Sequence, residues 1–366
     1  MRFSIGRETI LRPLQMVISV VERRQTLPVL SNLLLVIEGN RLSITATDLE
    51  VEVSVTVEVE SAEEGEITVP ARKFVDICRA LPEEATLEAT LDEDHLKLRA
   101  GRSRFSLATL AAVEFPIIEE VAARRELALS VEKLKELISR THFCMAQQDV
   151  RYYLNGLMLE LAPGHLRAVA TDGHRLAVCD VEEQIPVEGI EQVIVPRKGV
   201  QELLRLLGES EGEARVVLGQ SHVRVELPQI RFTSKLIDGK FPDYQRVLPQ
   251  DSDKRLVIDR RELTDALVRT SILSNEKYRG IRFVLEPERI TVQAHNPEKE
   301  EAEEELAATF EGEQMEIGFN VGYVLDALNA ISTGEVEMQL RDSNSSCLIK
   351  APESEACRYV VMPMRL

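Results

Sequence analysis

The sequence predicts an α+β chain made of three tandem copies of one domain, each pairing two helices with antiparallel strands. Three observations carry that reading. Thr47-Asp48 recurs as Thr171-Asp172 after 124 residues, and the third slot, His295-Asn296, follows after another 124. Val69-Pro-Ala-Arg-Lys, Val195-Pro-Arg-Lys and Phe319-Asn-Val-Gly repeat at nearly the same interval, as do Phe115-Pro116, Phe241-Pro242 and Met362-Pro363. A period this long exceeds the ~20–50 residues of solenoid units and equals the length of a domain. A chain of 366 residues is also too long for one core. The expected boundaries are 1–120, 127–250 and 251–366, with linkers near Glu119–Leu127 and Pro249–Arg255.

Each copy offers two helical segments. In the first, Arg7–Arg24 places Ile10, Leu11, Leu14, Val17, Ile18 and Val21 on one face, although Pro13 dents the pattern; Arg72–Ala80 follows. The second has Val131–Arg140 and Pro196–Leu207, where Pro196 suits a first turn. The third has Asp259–Ile272 and Asn320–Ile331.

Strand signals lie between them. Leu33–Ile37, Arg41–Ala46 and Glu50–Val59 are broken by the turn-like Glu38-Gly39-Asn40. In the second copy Gly156–Leu161, Leu166–Ala170 and Leu176–Val181 follow suit, with Pro163-Gly164 as a turn. Val51–Val59 alternates at period two, the mark of a sheet with one wet face.

Composition excludes several functions. The sequence shows no HExxH, no CxxC, no GxxxxGK[ST], no GxGxxG and no GxSxG, so no metal or other cofactor is expected. Cys78, Cys144 and Cys179 sit in apolar runs and read as reduced, buried thiols. With no apolar run of ~18 residues and no signal-like N-terminus, a cytoplasmic protein without a membrane role is expected.

The net charge of −18 argues against a nucleic-acid partner until its distribution is counted. The six helical segments carry 16 Lys and Arg against 10 Asp and Glu, so the remainder of the chain holds −24. That bias points the helices toward a polyanion; the last segment, without a Lys or Arg, is the exception. Six helices at ~10 Å spacing enclose a circle too narrow for a duplex roughly 20 Å wide, whereas twelve leave room. Two chains meeting head to tail supply twelve.

These residues bear a family resemblance. Val69-Pro-Ala-Arg-Lys-Phe, Gly101-Arg-Ser-Arg-Phe-Ser-Leu, Gln148-Asp-Val-Arg-Tyr-Tyr-Leu-Asn-Gly, Thr171-Asp-Gly-His-Arg-Leu-Ala-Val, Phe241-Pro-Asp-Tyr, Leu273-Ser-Asn-Glu-Lys-Tyr-Arg-Gly and Tyr359-Val-Val-Met-Pro-Met-Arg-Leu stand in order along the chain. With them the whole sequence resembles the bacterial DNA polymerase III beta subunits, the sliding clamps. The resemblance implies a head-to-tail dimeric ring of clamp domains with helices inside, acting as a non-catalytic processivity factor on duplex DNA. It implies DNA contacts at Arg24, Arg72, Gln148, Tyr152 and Tyr153, with Arg197 and Lys198 as companions.

It also implies a groove for peptides of the polymerase catalytic subunit, the clamp loader and other polymerases or repair proteins. That groove would be built from Leu154, Thr171, Gly173, His174, Arg175, Leu176, Pro242, Arg246, Val247, Ser346, Val360, Met362, Pro363 and Met364, with Tyr278 and Asn344 beside it. The dimer seam would join Phe105, Leu107 and Lys73 to Ile272, Leu273 and the acidic run of Glu298, Glu300 and Glu301. Two rivals stand against this reading. One is an enzyme built on Thr171–Arg175, for which no second motif supplies a base or nucleophile. The other is a scaffold that binds partners without enclosing DNA.

Overall fold

Short alternating runs become strands wherever one face can be covered, and the computed structural model, which describes residues 1–22, 27–118, 121–185 and 187–365, holds many of them. The first third of the chain gives β1 (Arg2–Gly6), α1 (Arg7–Val17), β2 (Asn32–Glu38), β3 (Arg41–Thr47), β4 (Val51–Glu58), β5 (Glu60–Glu63), β6 (Gly65–Pro70), α2 (Ala71–Ala80), β7 (Thr86–Asp92), β8 (His95–Ala100) and β9 (Ser103–Ala108). The second gives β10 (Arg125–Ser130), α3 (Val131–Ser139), β11 (Gly156–Ala162), β12 (His165–Thr171), β13 (Arg175–Glu182), β14 (Glu191–Pro196), α4 (Arg197–Gly208), β15 (Glu213–Leu218), β16 (His222–Glu226) and β17 (Ile230–Lys235). The last gives β18 (Lys254–Asp259), α5 (Arg260–Thr270), β19 (Gly280–Glu286), β20 (Arg289–His295), β21 (Glu301–Ala307), β22 (Thr309–Glu311), β23 (Met315–Asn320), α6 (Val321–Ala330), β24 (Glu335–Leu340), β25 (Cys347–Lys350) and β26 (Cys357–Val361). Each third therefore runs strand, helix, strands, helix, three strands, and the α+β class holds.

The compact units do not follow the sequence thirds. One comprises residues 1–134 and 198–236, the other 135–197 and 237–366. In the first, a five-stranded sheet runs β5-β1-β7-β8-β9 and an eight-stranded sheet runs β10-β15-β16-β17-β4-β3-β2-β6. Ile230 opposite Val55 marks the junction of second-third and first-third strands. Helix α1 packs across β3 and β4 and beside α2. The buried side of α2 consists of Ala71, Phe74, Val75 and Cys78, the i, i+3, i+4, i+7 stripe of an amphipathic helix. Covering a side chain such as Phe74 contributes about 1.5–3 kcal/mol.

In the second unit, a nine-stranded sheet runs β14-β11-β12-β13-β26-β25-β24-β18-β22 and a four-stranded sheet runs β21-β20-β19-β23. Helix α5 packs on β20 and β21 and beside α6. Both helices start at a side-chain cap. Asp259 accepts the Glu262 amide at 2.8 Å, and Asn320 accepts the Gly322 amide at 2.9 Å.

Several expectations change. Helix α1 stops at Val17, not Arg24; Val20 and Val21 bond back to Val17 and Ile18 in successive tight turns and stay buried, which is why the apolar pattern outlasts the helix. Pro13 lies inside that helix, buried. Pro196 ends β14 opposite Gly156, so the next helix begins one residue later. Asp259 and Asn320 are caps, and α5 gives way at Ser271 to a 3-10 turn. The first linker is shortened by β10, which starts at Arg125, with residues 119 and 120 outside the described residues; the second is shortened by β18, which starts at Lys254.

Two corrections concern chemistry. The polar face of β4 is wet only toward its end, where Thr56 is half-buried and Glu58 exposed; Glu52 and Ser54 are buried, with β17 flanking the strand and the Ile118 amide reaching down to the Glu52 carboxylate at 2.9 Å. Cys179 is not a free thiol; it is bonded to Cys357, directly opposite it on the neighbouring strand. Cys78 and Cys144 are free and buried as expected, and burial pushes the Cys78 thiol up to about 12.

Candidate functional site

The expected groove residues gather on one half of a face of the nine-stranded sheet. Leu154, Leu176 and Val360 belong to one buried apolar cluster with Met158, Val169, Val178, Ile194 and Leu348, and Phe241 and Tyr244 pack into it from the connecting loop. Residues of alternate position on β11, β12, β13, β25 and β26 supply this floor, as the period-two pleat requires.

The β12–β13 turn shapes one end. The Asp172 carboxylate accepts the His174 and Arg175 amides at 2.9 and 3.0 Å, and the Thr171 hydroxyl donates to the Arg175 carbonyl at 2.7 Å. Gly173 adopts φ +88°, and a Cβ there would meet the Arg151 guanidinium at 3.0 Å. No other residue fits that turn without strain.

Arg175 is held on all sides. Its Nε reaches Asp172 at 3.1 Å, Nη2 donates to the Phe143 carbonyl at 2.7 Å, and Nη1 pairs with Asp326. The guanidinium lies 4.5 Å from the Tyr323 ring centre, a cation–π distance, and His174 stacks on the same ring. Tyr323 and Asp326 come from α6, the helix without basic residues, and neither was read from sequence. The signal was there: Asp326 is the lone charge on that helix.

The other end is the loop carrying Pro242, Arg246 and Val247, all exposed. Arg246, Val247 and Ser346 line a cavity of about 490 Å³ with Arg341. The C-terminal segment follows β26: the Met362 amide bonds the His174 carbonyl at 2.9 Å, and the Met364 amide bonds the Gly318 carbonyl at 2.8 Å. Met362 is exposed, and Pro363 and Met364 are half-buried. Tyr278 and Asn344 are exposed.

Of the expected DNA contacts, Arg72 and Lys198 both reach the Val21–Glu22 segment. Arg24 lies outside the described residues. Gln148, Tyr152 and Tyr153 share one built loop: the Asp149 carboxylate accepts the Arg151 amide at 2.8 Å and its guanidinium at 2.8 and 3.0 Å, while Asn155 holds the Asp149 backbone from both sides. Those bonds from the Arg151 side chain and amide hold the Asp149 carboxyl down at about 2. Tyr152 is exposed, whereas Tyr153 packs against the apolar cluster and meets Tyr152 edge to face at 5.7 Å.

Arg197 donates to the Met145 carbonyl at 2.9 Å, and Arg72 to the Val21 carbonyl at 3.0 Å. Lys198 is paired with Glu22 and Asp48.

At the expected seam, Ile272 is 75% exposed, and Lys73, Glu298, Glu300 and Glu301 are also exposed. Phe105 and Leu273 are half-buried. Leu107 departs from expectation: it is already buried within its own chain, because β9 turns that side of the strand inward.

Family models for the DNA polymerase III beta subunit match the chain in series: the N-terminal domain at 1–119, the central domain at 128–243 and the C-terminal domain at 245–365. The beta sliding clamp of Pseudomonas aeruginosa is 56% identical over 367 residues, covering 100% of both chains. That of Escherichia coli K12 is 49% identical over 369 residues, again covering 100% of both. Among solved structures, the Pseudomonas aeruginosa clamp bound to griselimycin matches with a TM-score of 0.97 at 56% identity, and Caulobacter crescentus pol III beta with 0.94 at 39%; each comparison covers 100% of both chains.

Proposed function

Since the chain belongs to the DNA polymerase III beta subunit family, the non-catalytic sliding clamps, we propose that two copies close head to tail around duplex DNA and tether the replicative polymerase through the sheet-face groove. The observation that carries this reading is the match of all three family domains, in order, along the full chain. Tethering raises the effective concentration of polymerase at the primer end, so a released enzyme rebinds before it diffuses away.

Two unpaired strand edges support the closure. β9 ends the five-stranded sheet and β21 ends the four-stranded one. Open edges invite pairing with another chain. Their charges are opposite: Arg102 and Arg104 sit at β9, while β21 presents Glu301, Glu303 and Glu305 outward. Phe105, Ile272 and Leu273 would be covered in such a seam, with Lys73 near the acidic run of Glu298 and Glu300. Leu107 adds little, being buried already.

The proposed DNA contacts are Arg72, Gln148, Tyr152, Tyr153, Arg197 and Lys198, with Arg24 among them. Cations aimed at phosphate carry no sequence information, which suits a ring that slides. The proposed groove comprises Leu154, Leu176 and Val360 as floor, Thr171, Gly173, His174 and Arg175 at one end, and Pro242, Arg246, Val247 and Ser346 at the other. Met362, Pro363 and Met364 form its lip, with Tyr278 and Asn344 alongside. The polymerase catalytic subunit, the clamp loader and repair polymerases are the proposed occupants.

Loading onto nicked circular DNA followed by linearisation tests the topology: the protein should leave through the cut ends, and retention equal to that on the circle would refute enclosure. Solution mass should read about 82 kDa, twice the 41.2 kDa chain. Griselimycin, the ligand of the Pseudomonas aeruginosa clamp, probes the groove; Val247→Asp should abolish its binding without changing the mass.

A further inference from the structure

The loop that forms one groove wall, residues 238–248, holds a single 3-10 turn, Tyr244–Arg246. Its outward side chains do not fix it. Arg246 is 86% exposed and pairs with Asp243 in the same turn, and Val247 and Pro242 face solvent. Inward it has two buried anchors, Phe241 and Tyr244, with half-buried Leu248 packed on the same cluster at the loop's end. Phe241 is held by apolar packing, which is non-directional. Tyr244 is held by direction as well. Its hydroxyl accepts from Arg167 Nη1 at 2.8 Å and lies 3.2 Å from Glu160 Oε1, to which it donates. Arg167 Nη1 also reaches Glu160 Oε1 at 3.2 Å, closing a triangle.

That triangle stands on a rigid base. Glu160, Arg167 and Asp180 face one another across β11, β12 and β13. Arg167 Nη2 bonds Asp180 at 2.9 Å, and Gln192 on β14 donates to Glu160 Oε2 at 2.8 Å. Two strands thus reach one phenol and two more brace them, two residues before Arg246 and three before Val247.

We propose that Glu160 and Arg167 are positioning residues that act through the Tyr244 hydroxyl to hold the groove wall in its binding position. The inference rests on the reading of this groove as the partner site. If the wall visits other positions, apparent affinity falls by the fraction of time it spends in the competent one.

The test uses griselimycin and the full-length chain, with binding measured by calorimetry and local opening by amide hydrogen exchange. Tyr244→Phe keeps the ring and its packing, and leaves Arg167 and Glu160 paired with each other. It should weaken binding about fivefold to tenfold, speed exchange at the Val247 amide, which bonds the Tyr244 carbonyl at 3.0 Å, and leave β11–β13 protected. Arg167→Lys keeps the charge beside Asp180 but withdraws the contact to the phenol, so it should give a similar loss. The double variant should bind no worse than either single one, because both remove the same strut. Unchanged binding in Tyr244→Phe overturns the proposal. So does weakened binding with faster exchange throughout β11–β13, which would mark a merely structural role. Failure of the wild-type chain to bind griselimycin would instead remove the groove reading itself.

Discussion

The polar faces of the two large sheets are built from different chemistry. On strands β2, β3, β4 and β6 of the eight-stranded sheet, neutral groups meet across strands, Thr45 and Ser54 at 2.9 Å, Ser43 and Thr56 at 3.1 Å, Asn32 and Thr68 at 2.9 Å, while the sheet's ion pairs of Arg215 with Glu126 and Glu226 lie near solvent on β10, β15 and β16. On the nine-stranded sheet a belt of polar and charged side chains runs across every strand. It falls into two connected parts, Gln192, Glu160, Arg167, Asp180 and Arg358 in one and Lys350, Glu337, Arg255 and Glu311 in the other, with separations of 2.8 to 3.9 Å at the links Arg358–Asp180, Lys350–Glu337, Arg255–Glu337 and Arg255–Glu311; the two parts adjoin where the cations Arg358 and Lys350 stand opposite each other on β26 and β25. Hydroxyl pairs are cheap to desolvate, and each stands alone. A buried charge is tolerable only while its partner is present. Damage should therefore stay local in the first sheet and spread in the second. The belt also borders the groove floor, which ties the second sheet's integrity to the proposed partner site.

The largest expected effect follows from cutting the belt at Glu337. Its carboxylate is 4% exposed; burial alone would raise its pKa, but bonds from Gln339 and Arg255 and the Lys350 charge hold it below the usual range. Glu337→Ala leaves buried Lys350 with the exposed Glu355 alone. The expected loss is about 3–5 kcal/mol, read as weakened hydrogen-exchange protection in β24, β25 and β26. A loss under ~1 kcal/mol would erase the distinction between the sheets.

Next in size is Thr45→Val, which removes one partner of a buried hydroxyl pair and should cost about 1 kcal/mol in urea unfolding. Adding Ser54→Ala should recover most of that, since no donor is then left unsatisfied. A double variant as unstable as the sum of its parts would show that this ladder, too, is a coupled network.

How far sequence reveals this molecule can be judged residue by residue. The repeat exposed the element order, because strands and helices declare themselves within ten or so residues. Junctions between thirds were not visible: β17 meets β4, and Cys179 meets Cys357 across 178 positions, with no local pattern to announce either. The same blindness misjudged the start of β4, whose alternation reads as half wet although Glu52 and Ser54 are covered there by a strand from elsewhere and the Ile118 amide. In the candidate site, floor residues such as Leu176 and Val360 were legible through resemblance. The Tyr244 strut was not, since it exists only where four strands and a loop meet.

The smallest effect concerns Glu52, the eight-stranded sheet's own buried carboxylate, at 1% exposure. Burial raises its pKa; the Ile118 amide and the charges of Arg231 and Arg224 offset this in part. It is the opposite of Glu337: its pKa is raised by burial, whereas that of Glu337 is held down by bonds from Gln339 and Arg255. An acid whose folded pKa is raised binds its proton more tightly folded than unfolded. Its contribution is fully present below the unfolded pKa and is lost as pH rises through the folded one. Glu52→Gln keeps an acceptor for the Ile118 amide and removes the charge, so it should stabilise the first unit by about 0.5–1 kcal/mol at pH 7.5. Near pH 4 wild type and variant should converge, as the native glutamic acid is then protonated. Paired urea titrations at the two pH values read the difference. A gain independent of pH would mean that the amide packs better than the acid, and that the charge at Glu52 costs this sheet nothing.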